Sequence, residues 1–342
     1  MRNLKEKNIF LQKIKNLTVY HLKKCRIYND FFKFDKINFN KINSLEKLPF
    51  IPVRAFKEFE LMSVKKKDVF KVLHSSGTSN QSPSRIFLDK KNSKEQINVL
   101  SKIFKNFFKY SRLPMLVIDS NIYKKKDKIT LPARIAAIAG FSIFGKDMTF
   151  ALNEDMTINE KNLSSFFSKY RNQDILIFGL TSIIWEKFIS INNLINKKLN
   201  LKNAILIHGG GWKKLSNKGI NNNHFKLKLK KNFNISKVHN YYGMIEQTGS
   251  IFFECNLCSH FVTNPYSEII IRDDNLNPQK EGKKGIVQLI SLLPTSYPGH
   301  NIITEDIGLI NNKSDCSCSK IGKRFKIFGR LKKAEMRGCA NV

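Results

Sequence analysis

The sequence predicts an α/β chain built on a doubly wound, mostly parallel sheet, with a smaller antiparallel, barrel-like part attached. Three observations predict it. Apolar runs of strand length alternate with helical stretches through the middle of the chain, the pattern of βαβ units. Clusters of glycine and hydroxyl residues fall just after strands, where ligands sit outside the carboxyl ends of such sheets. From about residue 262 the pattern changes to short alternating runs separated by turn residues, such as Glu268–Arg272 and Gly285–Ile290.

Taken in order, residues 1 to about 70 read as helical and lysine-rich, with Ile9, Phe10, Ile14, Leu17 and Tyr20 at helical spacing. Pro49 and Pro52 imply an extended connection, because proline restricts itself and the residue before it. Val69–Leu73 alternates like a strand and runs into a serine-rich segment. A helix is expected over Ser93–Tyr110, a buried strand over Met115–Asp119 and a small-residue helix over Arg134–Ala139. Asp174–Phe178 and Asn203–Ile207 read as further strands, with a helix from Ser182 between them. The second of these strands ends in His208-Gly209-Gly210-Gly211-Trp212.

The chain has 342 residues, 42% of them hydrophobic, enough apolar material for a sizeable core and too much for wholesale disorder. Lys and Arg number 60 against 27 Asp and Glu, a formal charge of +33, and lysine outnumbers arginine several-fold. Such a charge promotes weak, unspecific association with polyanions through counterion release, without making a dedicated binding protein. No apolar run approaches the roughly 18 residues of a membrane helix, and the start lacks a signal peptide's apolar segment, so a cytoplasmic protein is expected.

Four segments carry chemistry. Ser75-Ser76-Gly77-Thr78-Ser79-Asn80-Gln81-Ser82-Pro83-Ser84 offers hydroxyls and backbone N–H groups that can surround phosphate oxygens; it is not a P-loop, and an ordinary serine-rich surface loop is the plain alternative. Tyr241-Tyr242-Gly243-Met244-Ile245-Glu246 pairs an aromatic for base stacking with a carboxylate for a hard cation, against the alternative of a strand end with one solvated Glu. Ile303-Thr304-Glu305-Asp306-Ile307-Gly308 sets a carboxylate at a strand-to-turn junction, suited to ribose hydroxyls. Phe328-Gly329-Arg330-Leu331-Lys332-Lys333 follows, and the chain runs on to Arg337-Gly338-Cys339. Each is weak alone; their order and spacing are specific.

That order resembles the adenylate-forming superfamily, which activates acids with ATP as acyl-adenylates. More narrowly, residues 45 to 339 resemble the acyl-protein synthetase family, the fatty-acid ligase component of the bioluminescence fatty-acid reductase complex. The carrying residues are His208–Leu215, Tyr242–Gln247, Tyr297-Pro298-Gly299-His300 and Arg337-Gly338-Cys339. The resemblance implies the large N-terminal domain of the adenylate-forming fold over residues 1–330, lacking the mobile C-terminal domain, and a short tail, 331–342. It implies that Ser75, Ser76, Gly77, Thr78 and Ser79 hold the ATP phosphates and that Gly209, Gly210, Gly211, Tyr242 and Gly243 frame adenine and ribose. It implies further that Glu246, with Thr78, holds Mg²⁺, that Asp306 binds the ribose hydroxyls, that Arg330 stands at the ribose–phosphate edge and that Cys339 accepts the acyl group. The expected activity is ATP-dependent activation of a carboxylic, fatty acid and transfer to Cys339 as a thioester, with an acyl-reductase or acyl-transferase partner. The alternatives are an adenylating acyl-CoA or carrier ligase in surface-polysaccharide or secondary metabolism, and a basic nucleic-acid-binding protein with degenerate motifs.

Cys255-x-x-Cys258-x-His260 and Cys316-x-Cys318 form two short knuckles whose thiolate and imidazole ligands suit a tetrahedral Zn²⁺ if the fold joins them. Partly buried free thiols are the alternative reading.

Overall fold

The structure is a computed structural model that describes residues 2–35, 37–75, 82–121, 130–131, 133–189, 191, 199–212, 215, 217–312, 316–318 and 321–331. The chain divides into two compact units. Met1–Ile103, Lys128–Ala133 and Gly243–Val342 make the first; Phe104–Asp127 and Arg134–Tyr242 make the second.

The first unit opens with helix α1 (Leu4–Lys24). The Asn3 side chain accepts from the Glu6 N–H while the Glu6 carboxylate accepts from the Asn3 N–H, a capping box that satisfies two end donors. The expected apolar face is only partly the buried one. Phe10 and Ile14 are buried, Ile9 is 47% exposed, and the stripe continues through Thr18 and His21. Polar residues are tolerated there because each meets a polar partner. Thr18 Oγ1 lies 2.9 Å from His300 Nε2, and His21 reaches Ser63 Oγ at 2.6 Å and the Pro294 carbonyl at 3.0 Å.

Strand β1 (Ile51–Pro52) realises the extended connection read from the prolines, pairing in parallel with β14 (Asn301–Ile310). β2 (Val69–His74) and β3 (Arg85–Asp89) form an antiparallel hairpin, with β5 (Thr130–Leu131) parallel on the other edge of β2. After the short β10 (Phe252–Phe253) comes an antiparallel sheet in the order β11 (Phe261–Val262), β15 (Arg324–Arg330), β14, β13 (Gly285–Ser291), β12 (Ser267–Arg272). This is the antiparallel part expected beyond residue 262. Helix α2 (Lys90–Phe108) takes the place of the helix expected over Ser93–Tyr110.

The second unit holds the parallel sheet. Its strands are β4 (Leu113–Ser120), β6 (Gly145–Leu152), β7 (Ile175–Leu180), β8 (Ala204–Gly209) and β9 (Lys237–Tyr242), in the order β6-β4-β7-β8-β9. All neighbouring pairs among these five are parallel. β4 and β8 are buried along their whole length, as strands covered on both faces must be. The chain winds outward from β4 in both directions, so the topological switch point lies between β4 and β7. Helices α3 (Ala133–Phe141), α4 (Glu160–Lys169) and α5 (Asn222–Phe233) connect the strands, and the helix expected from Ser182 is a short turn at Thr181–Ile183 passing into a π-helical turn at Ile184–Phe188. Phe166, Phe188, Phe225 and Phe233 pack with Leu116, Ile177 and Leu206 into the core of this unit.

Candidate active site

The serine-rich segment lies in sequence between the paired strands β2 and β3. Its neck is closed by two bonds. The Ser75 N–H donates to the Ser84 carbonyl at 3.1 Å, and the Ser84 N–H donates to Ser75 Oγ at 2.8 Å. Ser75 is thus the anchoring end of the loop. Ser76, Gly77, Thr78 and Ser79 lie outside the described residues, as does Cys339.

Glu246 sits in a single 3₁₀ turn, Ile245–Gln247, and is 6% exposed. The turn is held from beneath. Gln247 Nε2 donates to the carbonyls of Gly299, at 2.8 Å, and Leu289, at 3.0 Å. Gly299 fits only without a side chain, since a Cβ would stand 2.5 Å from the Glu246 carbonyl oxygen and run into the Tyr297 ring. The Tyr297-Pro298-Gly299-His300 element is therefore the floor under Glu246. Burial pushes the Glu246 carboxyl above its ordinary pKa, while the Ser84 hydroxyl and the charges of Lys57 and Arg330 pull it down. Ser84 Oγ at the loop neck is buried and makes no hydrogen bond among the described residues, so its influence on the Glu246 carboxyl is that of a nearby polar group.

Asp306 and Arg330 are direct cross-strand partners on β14 and β15, with Arg330 Nε 3.9 Å from Asp306 Oδ1. Asp306 lies inside β14 and not at the expected strand-to-turn junction, and Thr304 fixes the backbone beside it: its Oγ1 accepts from the Asp306 N–H at 3.1 Å and donates to the Val287 carbonyl at 2.8 Å. The Asp306 side chain keeps 19% exposure and Arg330 65%, so both present polar atoms to solvent. The first unit thus holds Ser75 bonded to Ser84, Asp306 paired with Arg330, and Glu246 within the charge field of Arg330.

In the second unit, Gly209 ends β8 at the carboxyl edge of the sheet. A Cβ on Gly209 would collide with the Tyr241 ring, and Gly210 and Gly211 turn the chain at φ +96° and +76°, which L side chains rarely adopt. Tyr242 closes β9, half-buried, and Gly243 follows at the start of the next segment of the first unit. Thr181 Oγ1 donates to the Gly209 carbonyl at 2.9 Å and lies 2.9 Å from His208 Nδ1. Its one hydrogen serves the carbonyl, so Nδ1 carries the imidazole hydrogen and donates back. That leaves the Nε2 lone pair facing the buried aromatic surroundings of Trp212 and Phe225. Burial holds His208 neutral, its pKa lowered to about 3.

Ser84, Gln247 and Thr304 stand inside motifs quoted from the sequence but received no role of their own there, and Lys57 was passed over. The Thr-x-Asp spacing carried a signal for Thr304; the others act through contacts made only on folding.

The two cysteine knuckles do meet. Cys255, Cys258, Cys316 and Cys318 bring their sulfur atoms within 4.8 Å of one another. His260 is not in that group: its Nδ1 lies 2.7 Å from the Cys258 carbonyl.

Among the described residues, no helix is long and apolar enough to cross a membrane. Of curated proteins, the chain is similar to the long-chain-fatty-acid–luciferin-component ligase of Aliivibrio fischeri, 24% identical over 196 residues, 56% of this chain and 51% of that one. It is similar to the ligase of the same description from Vibrio harveyi, 24% identical over 142 residues, 41% of this chain and 36% of that one. The match thus spans about half or less of these relatives' length. Of solved structures, it is similar to 2-hydroxyisobutyryl-CoA ligase in an open conformation in complex with 2-HIB-AMP and CoA. The TM-score is 0.75 at 14% identity, over 95% of this chain and 75% of that one. At that identity the likeness speaks for the fold, which is the adenylate-forming α/β architecture. Residues 2–342 match the family described as acyl-protein synthetase, LuxE, and the chain belongs to that family.

Proposed function

We propose that the chain activates a fatty acid with ATP and passes the acyl group to a cysteine thiol. The acid's carboxylate attacks the α-phosphorus, the bond to the bridging oxygen breaks and pyrophosphate leaves. A thiolate then attacks the carbonyl of the acyl-adenylate, expelling AMP and forming a thioester. Such chemistry is served by positioning and charge neutralisation. The observation that supports this reading is a buried carboxylate, Glu246, that feels the charge of Arg330, itself the cross-strand partner of Asp306.

In this reading Ser75, Ser76, Gly77, Thr78 and Ser79 hold the phosphates and Asp306 takes the ribose hydroxyls. Arg330 faces the ribose–phosphate edge, and Gly209, Gly210, Gly211, Tyr242 and Gly243 frame the nucleoside. One buried carboxylate beside a phosphate loop is the protein share of a Mg²⁺ site completed by phosphate oxygens and water, so Glu246 and Thr78 fit that ion. Mg²⁺ there would neutralise charge gathering on the phosphates. Residues 1–330 are the catalytic body and 331–342 the tail that carries the acceptor, Cys339, with a reductase or transferase as the next acyl carrier. We place the reaction in the cytoplasm, and a structural Zn²⁺ at the cysteine cluster.

The test is pyrophosphate exchange into ATP, screened over fatty, aryl and hydroxy acids, with Cys339→Ala beside the unaltered chain. The variant is expected to keep exchange and to lose hydroxylamine-labile acylation of the protein. Retained acylation removes Cys339 from the role; acyl transfer to added CoA by the variant makes the protein a CoA or carrier ligase.

A further inference from the structure

Cys255 and Cys258 lie between β10 and β11, and Cys316 and Cys318 lie in the connection from β14 to β15. Cys255 Sγ and Cys316 Sγ are 3.7 Å apart. A disulfide requires about 2.05 Å, whereas four sulfurs bound at about 2.3 Å around one zinc ion stand about 3.8 Å apart along the tetrahedron's edges. None of the four is in a disulfide. The spacing of this pair is that of two ligands of one zinc ion rather than of a disulfide, and all four sulfurs lie within 4.8 Å of one another.

We propose that these four thiols hold Zn²⁺ as a closed tetrathiolate, with His260 outside the ligand set, and that the bound ion fixes the register of β15 and so the place of Arg330 opposite Asp306. The inference rests on the zinc reading above and adds the ligand set and the task. Binding releases the four thiol protons and leaves a centre of net charge −2.

Three features assign the task. β11 is two residues long, pairing with β15 only at Phe261↔Phe325 and Val262↔Arg324, with one further turn of bonds between Thr263 and Lys323. A ladder so short is marginal unless its strands are tied elsewhere, and the zinc knot would tie the two loops that lead into them. Arg324, the first residue of β15, directs Nη2 at Cys318 Sγ from 3.5 Å, a donor and a countercharge for the thiolate centre. On its other side β15 meets β14 across a register shift between Ile307 and Gly308, so that ladder does not set the register without interruption. A slip of one residue would carry Arg330 to the opposite face of the sheet.

The test uses the full chain purified under reducing conditions. Plasma mass spectrometry is expected to find one zinc per chain, and replacement by Co²⁺ to give the intense d–d absorption of tetrahedral cobalt thiolate. Zinc below about one-tenth equivalent with no cobalt band ends both the zinc reading and the inference. The Cys316→Ser/Cys318→Ser variant, or the unaltered chain stripped by a strong chelator should that variant not fold, is then followed by hydrogen exchange. Amides of 324–330 are expected to lose at least ten-fold protection while those of β7 and β8 keep theirs, and KM for ATP to rise with kcat less affected. Zinc present but protection of 324–330 unchanged on its removal leaves the metal and overturns the register role. Zinc lost in His260→Ala overturns the all-sulfur ligand set. Since hydrogen exchange needs no turnover, a chain without pyrophosphate exchange would count against adenylation and not against this clasp.

Discussion

A carboxylate with 6% exposure is costly unless something compensates the charge, and among the described residues Glu246 has little beyond two cations at a distance and its own turn to do so. Its raised pKa is the mark of a group kept short of partners, which a bound cation would supply. Glu246→Gln keeps the shape and removes the charge. The folded state should be as stable or slightly more so in a thermal melt, while pyrophosphate exchange falls by about 10²–10³. Exchange at the unaltered rate would remove Glu246 from the reaction. Gly299→Ala tests the floor of the site instead. Its Cβ meets the Glu246 carbonyl and the Tyr297 ring, so overpacking of about 1–3 kcal/mol is expected, read as a lower urea midpoint, and exchange should fall with it. Glu246, Asp306 and Arg330 were legible because motif spacing survives in one sequence. Gln247 stood inside a quoted motif, but its task was not legible, because the bonds that define it run to Leu289 and Gly299, far away in sequence.

Helix α1 shows how an element can be read correctly and its buried face wrongly. The capping box and the Phe10–Ile14 spacing announce the helix, but the stripe runs on through Thr18 and His21 because the surface it covers is polar, with His21 stacked on His300 at 4.8 Å. Helix α5 is the opposite case. Its Lys-Leu-Lys-Leu run alternates like a strand, yet Phe225, Leu229 and Phe233, four apart, are buried while Leu227 is 66% exposed. β6 escaped notice because Lys146 and Asp147, in its first half, are exposed and interrupt the apolar pattern. β4, β7 and β8 were legible as unbroken apolar runs. The polar stripe of α1 also carries a pH dependence. Burial lowers His21 to about 3 and holds His300 well below the usual histidine range. Between about pH 3 and 6.5 the unfolded chain therefore binds protons that the folded one does not, so stability falls as pH drops through that window. Each buried histidine contributes up to about 1.4 kcal/mol per pH unit. Urea midpoints should fall from pH 7 to pH 5, and His21→Gln/His300→Gln should flatten that slope even if it lowers the midpoint at pH 7. An unchanged slope in the double variant would show that these two groups do not titrate with unfolding.

At the scale of the whole chain, one unit is a continuous βα run broken only by a short excursion, and the other is assembled from three separate segments. The first kind of unit announces itself in sequence as alternation. The second does not, because β1 pairs with β14 from the far end of the chain and a single Ile51↔Ile302 register leaves no local trace. Net charge is the one global property that sequence states outright, and +33 invites a nucleic-acid reading. Charge without base-reading groups has a definite signature, since affinity then comes from counterion release alone. Binding to duplex DNA should be blind to sequence and fall by about 10³ or more between 50 mM and 200 mM salt. Pyrophosphate exchange at the higher salt should be indifferent to added DNA. A fluorescence titration with two unrelated duplexes at both salts decides it. Equal affinities that collapse together mark a charged surface, and a preference of about 10³ for one duplex that survives at 200 mM salt would give the chain a second occupation.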